Sequence, residues 1–125
     1  MTLRVYYEDT DTGGVVYHSN YLNYCERARS EMFFQKGITP ELKNGHFVAK
    51  KVVAEYISSA KLGDMLRVES KILKIKAASF IMEQEIYRDD KKIFKMEISL
   101  VYISFDAKPQ RLDEESLLLL KSLFC

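Results

Sequence analysis

The sequence has little of three features that would each point to a class of protein: cysteine, charge of one sign and long hydrophobic runs. Its only cysteines are Cys25 and Cys125, so we expect no structural disulfide, no zinc site and a reducing, cytoplasmic location. The formal net charge is +1. Nucleic acid is therefore not expected as the main partner, because binding to phosphates requires a clearly basic face.

Apolar runs are short throughout the chain. The four leucines at residues 117–120 fall far below the roughly 20 apolar residues that a membrane-spanning helix needs. The first residues lack the apolar core of a secretory signal and lead directly into a strand pattern. With 125 residues, of which 47% are hydrophobic and 30% charged, we expect one soluble globular domain covering residues 1–125.

Residues 6–21 (YYEDTDTGGVVYHSNY) contain the densest cluster of candidate functional residues in the chain. Three acids, two adjacent glycines, one histidine and four tyrosines share these sixteen positions. The glycines allow a turn through backbone angles that other residues avoid, and helical periodicity begins soon afterwards. This order predicts a carboxylate at the mouth of a turn that leads into a helix N-terminus, where free N–H groups favour negative charge.

The remaining chain alternates between two periodicities. Residues 2–7 predict a short strand with Leu3, Val5 and Tyr7 on one face, and residues 20–36 predict an amphipathic helix capped by Ser19 or Asn20 and ended by Gly37. A connection at residues 38–45 includes one predicted helical turn at 40–44. Four antiparallel strands are then predicted at residues 47–57, 66–72, 80–87 and 94–102, and Asp113 caps a last helix at 114–124.

This order of elements predicts an α+β domain in which a five-stranded, mostly antiparallel sheet packs on one long helix. One helix covers only one face of such a sheet. The other face and the sheet edges require a partner, so we expect a homo-oligomer.

The motif Y-x-D-T-D-x-x-G-V-V-Y-H-x-N-Y-L, followed by E-R-A-R at residues 26–29, resembles the YbgC-like branch of the hotdog-fold acyl-CoA thioesterases, which are related to 4-hydroxybenzoyl-CoA thioesterase. The resemblance implies a hotdog fold, assembly as a homodimer or a homotetramer, an active site at a subunit interface, an acyl-CoA substrate and no separate cofactor. It also implies a link to the Tol-Pal system of the bacterial envelope and an association with the inner-membrane surface.

Carried over residue by residue, the resemblance implies three catalytic residues. Asp11 is the catalytic carboxylate, His18 supplies the polarising backbone N–H, and Tyr7 lies in the same pocket. The residues that the resemblance assigns to substrate binding are Gly14, Val15, Tyr17, Asn20, Lys76 and Ser79. Lys76 and Ser79 belong to a loop that contacts phosphates of coenzyme A in relatives, although Ala77 and Ala78 make this loop less basic here.

The residues leave several alternatives open. Asp11 would either attack the thioester carbonyl or deprotonate a water molecule. A calcium loop that starts at Asp9 fails at its fifth and twelfth positions, which are Gly13 and Asn20, so we expect no metal site. A hotdog domain that binds acyl-CoA or a protein without turnover is the alternative function. Cys25 lies on the apolar stripe of the helix and is predicted to be a core residue.

Overall fold

The computed structural model of the protein describes residues 1–124 and confirms the predicted α+β architecture. Five strands form one antiparallel sheet in the order β1-β3-β4-β5-β2. The elements in chain order are β1 (Thr2–Arg4), a 3-10 turn (Tyr7–Asp9), α1 (Asn20–Phe34), β2 (His46–Tyr56), β3 (Met65–Ile75), β4 (Ser79–Arg88), β5 (Lys91–Ile103) and α2 (Glu114–Phe124). Cys125, expected here to be free of a disulfide, lies outside the described residues.

Helix α1 covers one face of the sheet, and the alternating side chains of the central strands form the core beneath it. The ring of Tyr21 in α1 stacks on Phe94 of β5 with 5.1 Å between centroids. The predicted alternation in the last two strands is confirmed, since every second residue is buried. These residues are Phe80, Met82, Gln84 and Ile86 in β4, and Phe94, Met96, Ile98, Leu100 and Tyr102 in β5.

Strand β2 lies at an edge of the sheet and is mostly exposed. A β-bulge between Ala49 and Lys51 interrupts its pairing with β5. Apolar side chains on or just after this strand remain between 37% and 58% exposed. They are Val48, Val52, Val53, Tyr56 and Ile57.

Three local predictions were wrong. Strand β1 ends at Arg4, so Tyr7 lies in the 3-10 turn with its side chain 80% exposed instead of on a buried face with Val5. No helical turn forms at residues 40–44. Neither expected side chain caps α1. The Oδ1 of Asn20 accepts the side-chain amide of Asn23 instead of a backbone N–H, and its Nδ2 donates to the carbonyl of Asp9.

The ends of both helices follow from local chemistry. Helix α1 stops at Phe34, two residues before the predicted end, and Gly37 adopts a positive φ of 76° just after it. The N–H of Gly37 donates to Phe34 and that of Ile38 to Phe33, which satisfies the last carbonyls of the helix. At the start of α2, Asp113 caps the helix as predicted, because its carboxylate accepts the N–H of Ser116 at 2.7 Å.

Candidate active site

The candidate site is the loop between β1 and α1, here called the Asp11 loop and defined as residues 7–19. Its tip is a tight turn in which the N–H of Gly14 donates to the carbonyl of Asp11 at 3.0 Å. Gly14 has a positive φ of 79°, a conformation that costs glycine little and other residues more. The N–H of Asp11 donates to the carbonyl of Val15 at 2.9 Å, which closes the loop as a small hairpin.

Only one oxygen of the Asp11 carboxylate is hydrogen-bonded within this turn. Its Oδ1 accepts the N–H of Gly13 at 2.8 Å, and a Cβ added at Gly13 would approach that same oxygen to 3.1 Å. Within residues 1–124, Oδ2 makes no hydrogen bond, and the side chain is exposed. One carboxylate oxygen is therefore oriented by the backbone while the other is free to react.

Asp9, for which the sequence predicts no catalytic or substrate-binding role, anchors the loop. It is only 5% exposed, and its carboxylate accepts the N–H of Tyr6 at 2.9 Å. Its carbonyl accepts both the N–H of Tyr17 and the side-chain amide of Asn20, each at 2.9 Å. Through its carboxylate and its carbonyl, this buried residue accepts three hydrogen bonds, which hold the loop against the first turn of α1.

Asp11 and His18 line one cleft of about 350 Å³, together with Val15, Val16, Tyr21, Tyr56 and residues 57–59. The ring of His18 lies 4.3 Å from that of Tyr17. Within the described part of the chain, the backbone N–H of His18 makes no hydrogen bond. Because His18 comes just before α1, this free donor lies at the positive end of the helix dipole.

Tyr56 and Tyr21 connect the cleft to the sheet and were not among the predicted site residues. The Tyr56 hydroxyl donates to the carbonyl of His18 at 2.8 Å, and the Tyr21 hydroxyl accepts the N–H of Ala60 at 3.1 Å. Burial raises the pKa of both phenols, so each remains a neutral donor. No sequence pattern marks Tyr56, because its place beside His18 depends on where β2 ends.

The structure brings only some of the predicted site residues together. Asp11, Val15 and His18 share the cleft, whereas Tyr7 does not line it. Lys76 and Ser79 form the turn between β3 and β4, where the N–H of Lys76 donates to the carbonyl of Ser79 at 2.7 Å. Ser79 aligns through β5 with Val48 near the start of β2, whereas Tyr56 ends that strand. Within one chain, the two residues lie at the opposite end of the sheet from Asp11.

Other chemistries find less support among the described residues. Cys25 is fully buried, and burial raises the pKa of its thiol to about 12, so it lacks the thiolate that a nucleophile needs. Within residues 1–124, no group of three or more His, Cys, Asp or Glu side chains is placed to hold a metal ion. None of the described helices is both long and apolar enough to cross a membrane.

The sheet wrapped on one long helix, with an acidic turn at the helix start, defines a hotdog-fold protein. A family model described as the thioesterase-like superfamily matches residues 5–118. The chain therefore belongs to the thioesterase-like superfamily.

Two relatives share the sequence at substantial identity. An acyl-CoA thioesterase YbgC of Helicobacter pylori is 48% identical over 87 residues, which cover 70% of this chain and 65% of that protein. An acyl-CoA thioesterase YbgC of Haemophilus influenzae is 39% identical over 106 residues, which cover 81% of this chain and 77% of that protein. The match thus spans just under two thirds of the length of the Helicobacter pylori relative.

Solved structures show the same fold. A probable thioesterase from Bartonella henselae is 29% identical with a TM-score of 0.83, covering 90% of this chain and 97% of that one. A 1,4-dihydroxy-2-naphthoyl-CoA thioesterase from Synechocystis has a TM-score of 0.86 over 98% of this chain and 95% of its own. At 21% identity, the latter likeness shows the fold alone.

Proposed function

We propose that this chain hydrolyses acyl-CoA thioesters in the cleft between the Asp11 loop and the start of α1. One observation carries the proposal: the free Oδ2 of Asp11 and the unpaired backbone N–H of His18 belong to residues that line the same cleft. A carboxylate beside a free donor at a helix N-terminus is the pair that acyl transfer requires. The names of the relatives from Helicobacter pylori and Haemophilus influenzae agree with this activity.

Two routes use the same atoms. Asp11 Oδ2 attacks the thioester carbonyl carbon and forms a mixed anhydride that water then cleaves, or it takes a proton from a water molecule that attacks the same carbon. Both routes place negative charge on the carbonyl oxygen, where the His18 N–H stabilises it; one such donor typically contributes about 10²- to 10³-fold in rate. The carbon–sulfur bond then breaks, and coenzyme A leaves as a thiolate, which needs no strong acid.

We also propose that two copies pair through the β2 edges. The edge strand carries exposed apolar side chains and open backbone groups, which a second copy would cover. A two-fold axis through the middle of β2 makes the two strands antiparallel. The β3–β4 turn of one copy, with Lys76 and Ser79, then comes to the same end of the assembly as the Asp11 cleft of the other. This arrangement gives these residues access to a coenzyme A phosphate that they lack within one chain.

The test is the release of free thiol from a panel of short, long and aromatic acyl-CoAs by the wild-type chain. We expect many turnovers per chain with at least one member of the panel. The alternative, an acyl-CoA binding module, predicts saturable binding in equilibrium dialysis without release of thiol. That result would overturn the proposal.

Light scattering tests the pairing separately. We expect a dimer or a tetramer, and Val53→Lys on the exposed edge should shift it toward the monomer because it adds a like charge from each copy close to the proposed two-fold axis. Lys74→Ala, on β3 and away from the edge, serves as the control. A monomer at all concentrations in the wild type would contradict the pairing.

A further inference from the structure

The backbone on the two sides of His18 is held by hydrogen bonds of different origin. On the N-terminal side, the carbonyl of Tyr17 accepts the N–H of Asn20 at 2.9 Å. On the C-terminal side, the carbonyl of His18 accepts the hydroxyl of Tyr56 at 2.8 Å. Within residues 1–124, no backbone N–H outside regular secondary structure donates to this second carbonyl. The restraint on the C-terminal side of His18 therefore comes from a side chain of the sheet.

These two bonds together set the direction of the His18 N–H. A peptide group is planar, so this N–H shares one plane with the Tyr17 carbonyl, and the His18 carbonyl lies in the next plane. Only the two backbone torsions at His18 change the angle between the planes. With both carbonyls hydrogen-bonded, these torsions have little freedom. Loss of the Tyr56 bond would release one of the two planes.

Tyr56 is well suited to hold a backbone group in place, because its own position is fixed by the sheet. It ends β2 directly opposite Phe94 of β5. Its ring packs edge-on against Phe94 and Tyr21, with 5.1 and 5.6 Å between centroids. The N–H groups of the next two residues both donate to the carbonyl of Ile93, at 2.9 and 3.1 Å. The hydroxyl is therefore presented by a rigid element and not by a loop.

We propose that Tyr56 is a positioning residue for thioester hydrolysis, whose hydroxyl holds the His18 peptide so that its N–H points at the developing oxyanion. The proposal rests on the function proposed above. A donor that is already oriented stabilises the new charge without reorganisation, and a small displacement from that orientation lowers the rate. Because the single proton of the hydroxyl is donated to the His18 carbonyl, Tyr56 acts through His18 and does not protonate the leaving thiolate.

Steady-state kinetics of Tyr56→Phe test this role. The variant keeps the packed ring and removes only the hydroxyl of a side chain that is about half exposed, so the Tm should stay within about 2 °C of the wild type. We expect kcat to fall by at least about fivefold, which is a part of the 10²- to 10³-fold that one oxyanion donor contributes. KM should stay within about twofold, because the oriented donor acts on charge that develops in the transition state.

Tyr102→Phe is the matched control, since it removes a phenol hydroxyl at the other end of the sheet. Tyr102 is fully buried, and its hydroxyl donates to Asp113 at 3.2 Å. The control should lower the Tm by roughly 3 °C and leave kcat unchanged. An equal fall of kcat in both variants would overturn the proposal, because any lost hydroxyl would then have the same effect.

The amide signals of the protein provide a second readout that does not depend on turnover. In a ¹⁵N–¹H correlation spectrum, the signals of His18 and Ser19 should move in Tyr56→Phe, whereas Tyr102→Phe should leave them in place. Unmoved signals in Tyr56→Phe would overturn the proposal.

The kinetic outcomes separate this proposal from the proposed function. A wild type that releases thiol, together with a fall of kcat below about fivefold in Tyr56→Phe, would overturn the role of Tyr56 and leave thioester hydrolysis standing. A wild type that releases no thiol from any acyl-CoA would overturn both.

Discussion

The two ends of strand β2 carry sites built in opposite ways. At the Tyr56 end, the Asp11 loop is exposed and is held mainly by backbone hydrogen bonds and by the buried Asp9. At the His46 end, a pocket between helix and sheet is formed by large side chains around Arg29 and Gln84. The difference places the carboxylate that we propose to react outside the packed core, so activity and stability should respond to different substitutions.

The largest stability effect is expected at Gln84, within the packed region. Gln84→Leu keeps the volume but removes the acceptor for Arg29 and the donor to Ser70. Because it leaves a partly buried charge without a partner, we expect a loss of about 3 kcal/mol in the free energy of unfolding. In a domain of this size, that corresponds to a fall of roughly 10 °C in the Tm.

Chemical denaturation and thermal unfolding measure this effect, and turnover well below the Tm should stay within about twofold of the wild type. Gln35→Leu, at the exposed end of α1, is the control and should change stability by less than about 0.5 kcal/mol. If Gln84→Leu abolished turnover while it remained folded, the claim that activity and stability depend on different regions of the molecule would be wrong.

The glycines allow a matched test of the loop. Gly14 and Gly37 both have a positive φ, of 79° and 76°, and neither has an atom within 4 Å of an added Cβ. Valine at either position should therefore cost a similar amount of stability through backbone strain, about 1 to 2 kcal/mol. Only Gly14→Val should also lower kcat/KM, by about 10²-fold, because it displaces Asp11 from the cleft.

Steady-state kinetics and thermal unfolding of both variants provide the measurements. An equal loss of activity in Gly37→Val would mean that strain anywhere near α1 impairs turnover. In that case, the conformation of the Asp11 loop would carry no special role.

The smallest effect is expected at Asp113, which caps α2 and accepts the Tyr102 hydroxyl. The N–H of Ser116 holds the pKa of this carboxyl below its usual range. The stability that the ionised cap contributes is therefore fully present above the pKa of the unfolded state and is lost as the pH falls through the pKa of the folded state. Asp113→Ala should cost about 1 kcal/mol near pH 7 and progressively less below about pH 4.

Denaturant titrations at several pH values measure this prediction. Asp106→Ala, in an exposed turn after β5, is the reference and should show no such dependence. A difference between wild type and Asp113→Ala that stayed constant down to pH 2 would contradict the role of the ionised cap.

The sequence predicted the sheet and both helices because alternation and helical periodicity report directly which side chains face a core. Phe80, Met82 and Ile86 show this pattern and are buried as expected. The errors fall where local signals compete, as at Tyr7, where an alternating pattern gave way to a 3-10 turn. Periodicity cannot register that change, because the buried Asp9 accepts the N–H of Tyr6 and bends the chain there.

The site was predictable only in part. Asp11, Gly14 and His18 are close in sequence, so their grouping in one loop follows from the order of residues. Tyr56 reaches His18 from 38 residues away, and such a contact depends on the register between β2 and β5. The pocket at Arg29 depends in the same way on the packing of α2, which no local pattern reports.

The most direct test of Asp11 as the reactive carboxylate compares kcat for the best acyl-CoA of the panel in wild type, Asp11→Asn and Asp106→Asn. Asparagine keeps the oxygen that accepts the Gly13 N–H, so the loop and the Tm should be preserved. We predict that kcat falls by at least about 10³-fold in Asp11→Asn and stays unchanged in Asp106→Asn. Turnover in Asp11→Asn within about tenfold of the wild type would show that another group performs the reaction.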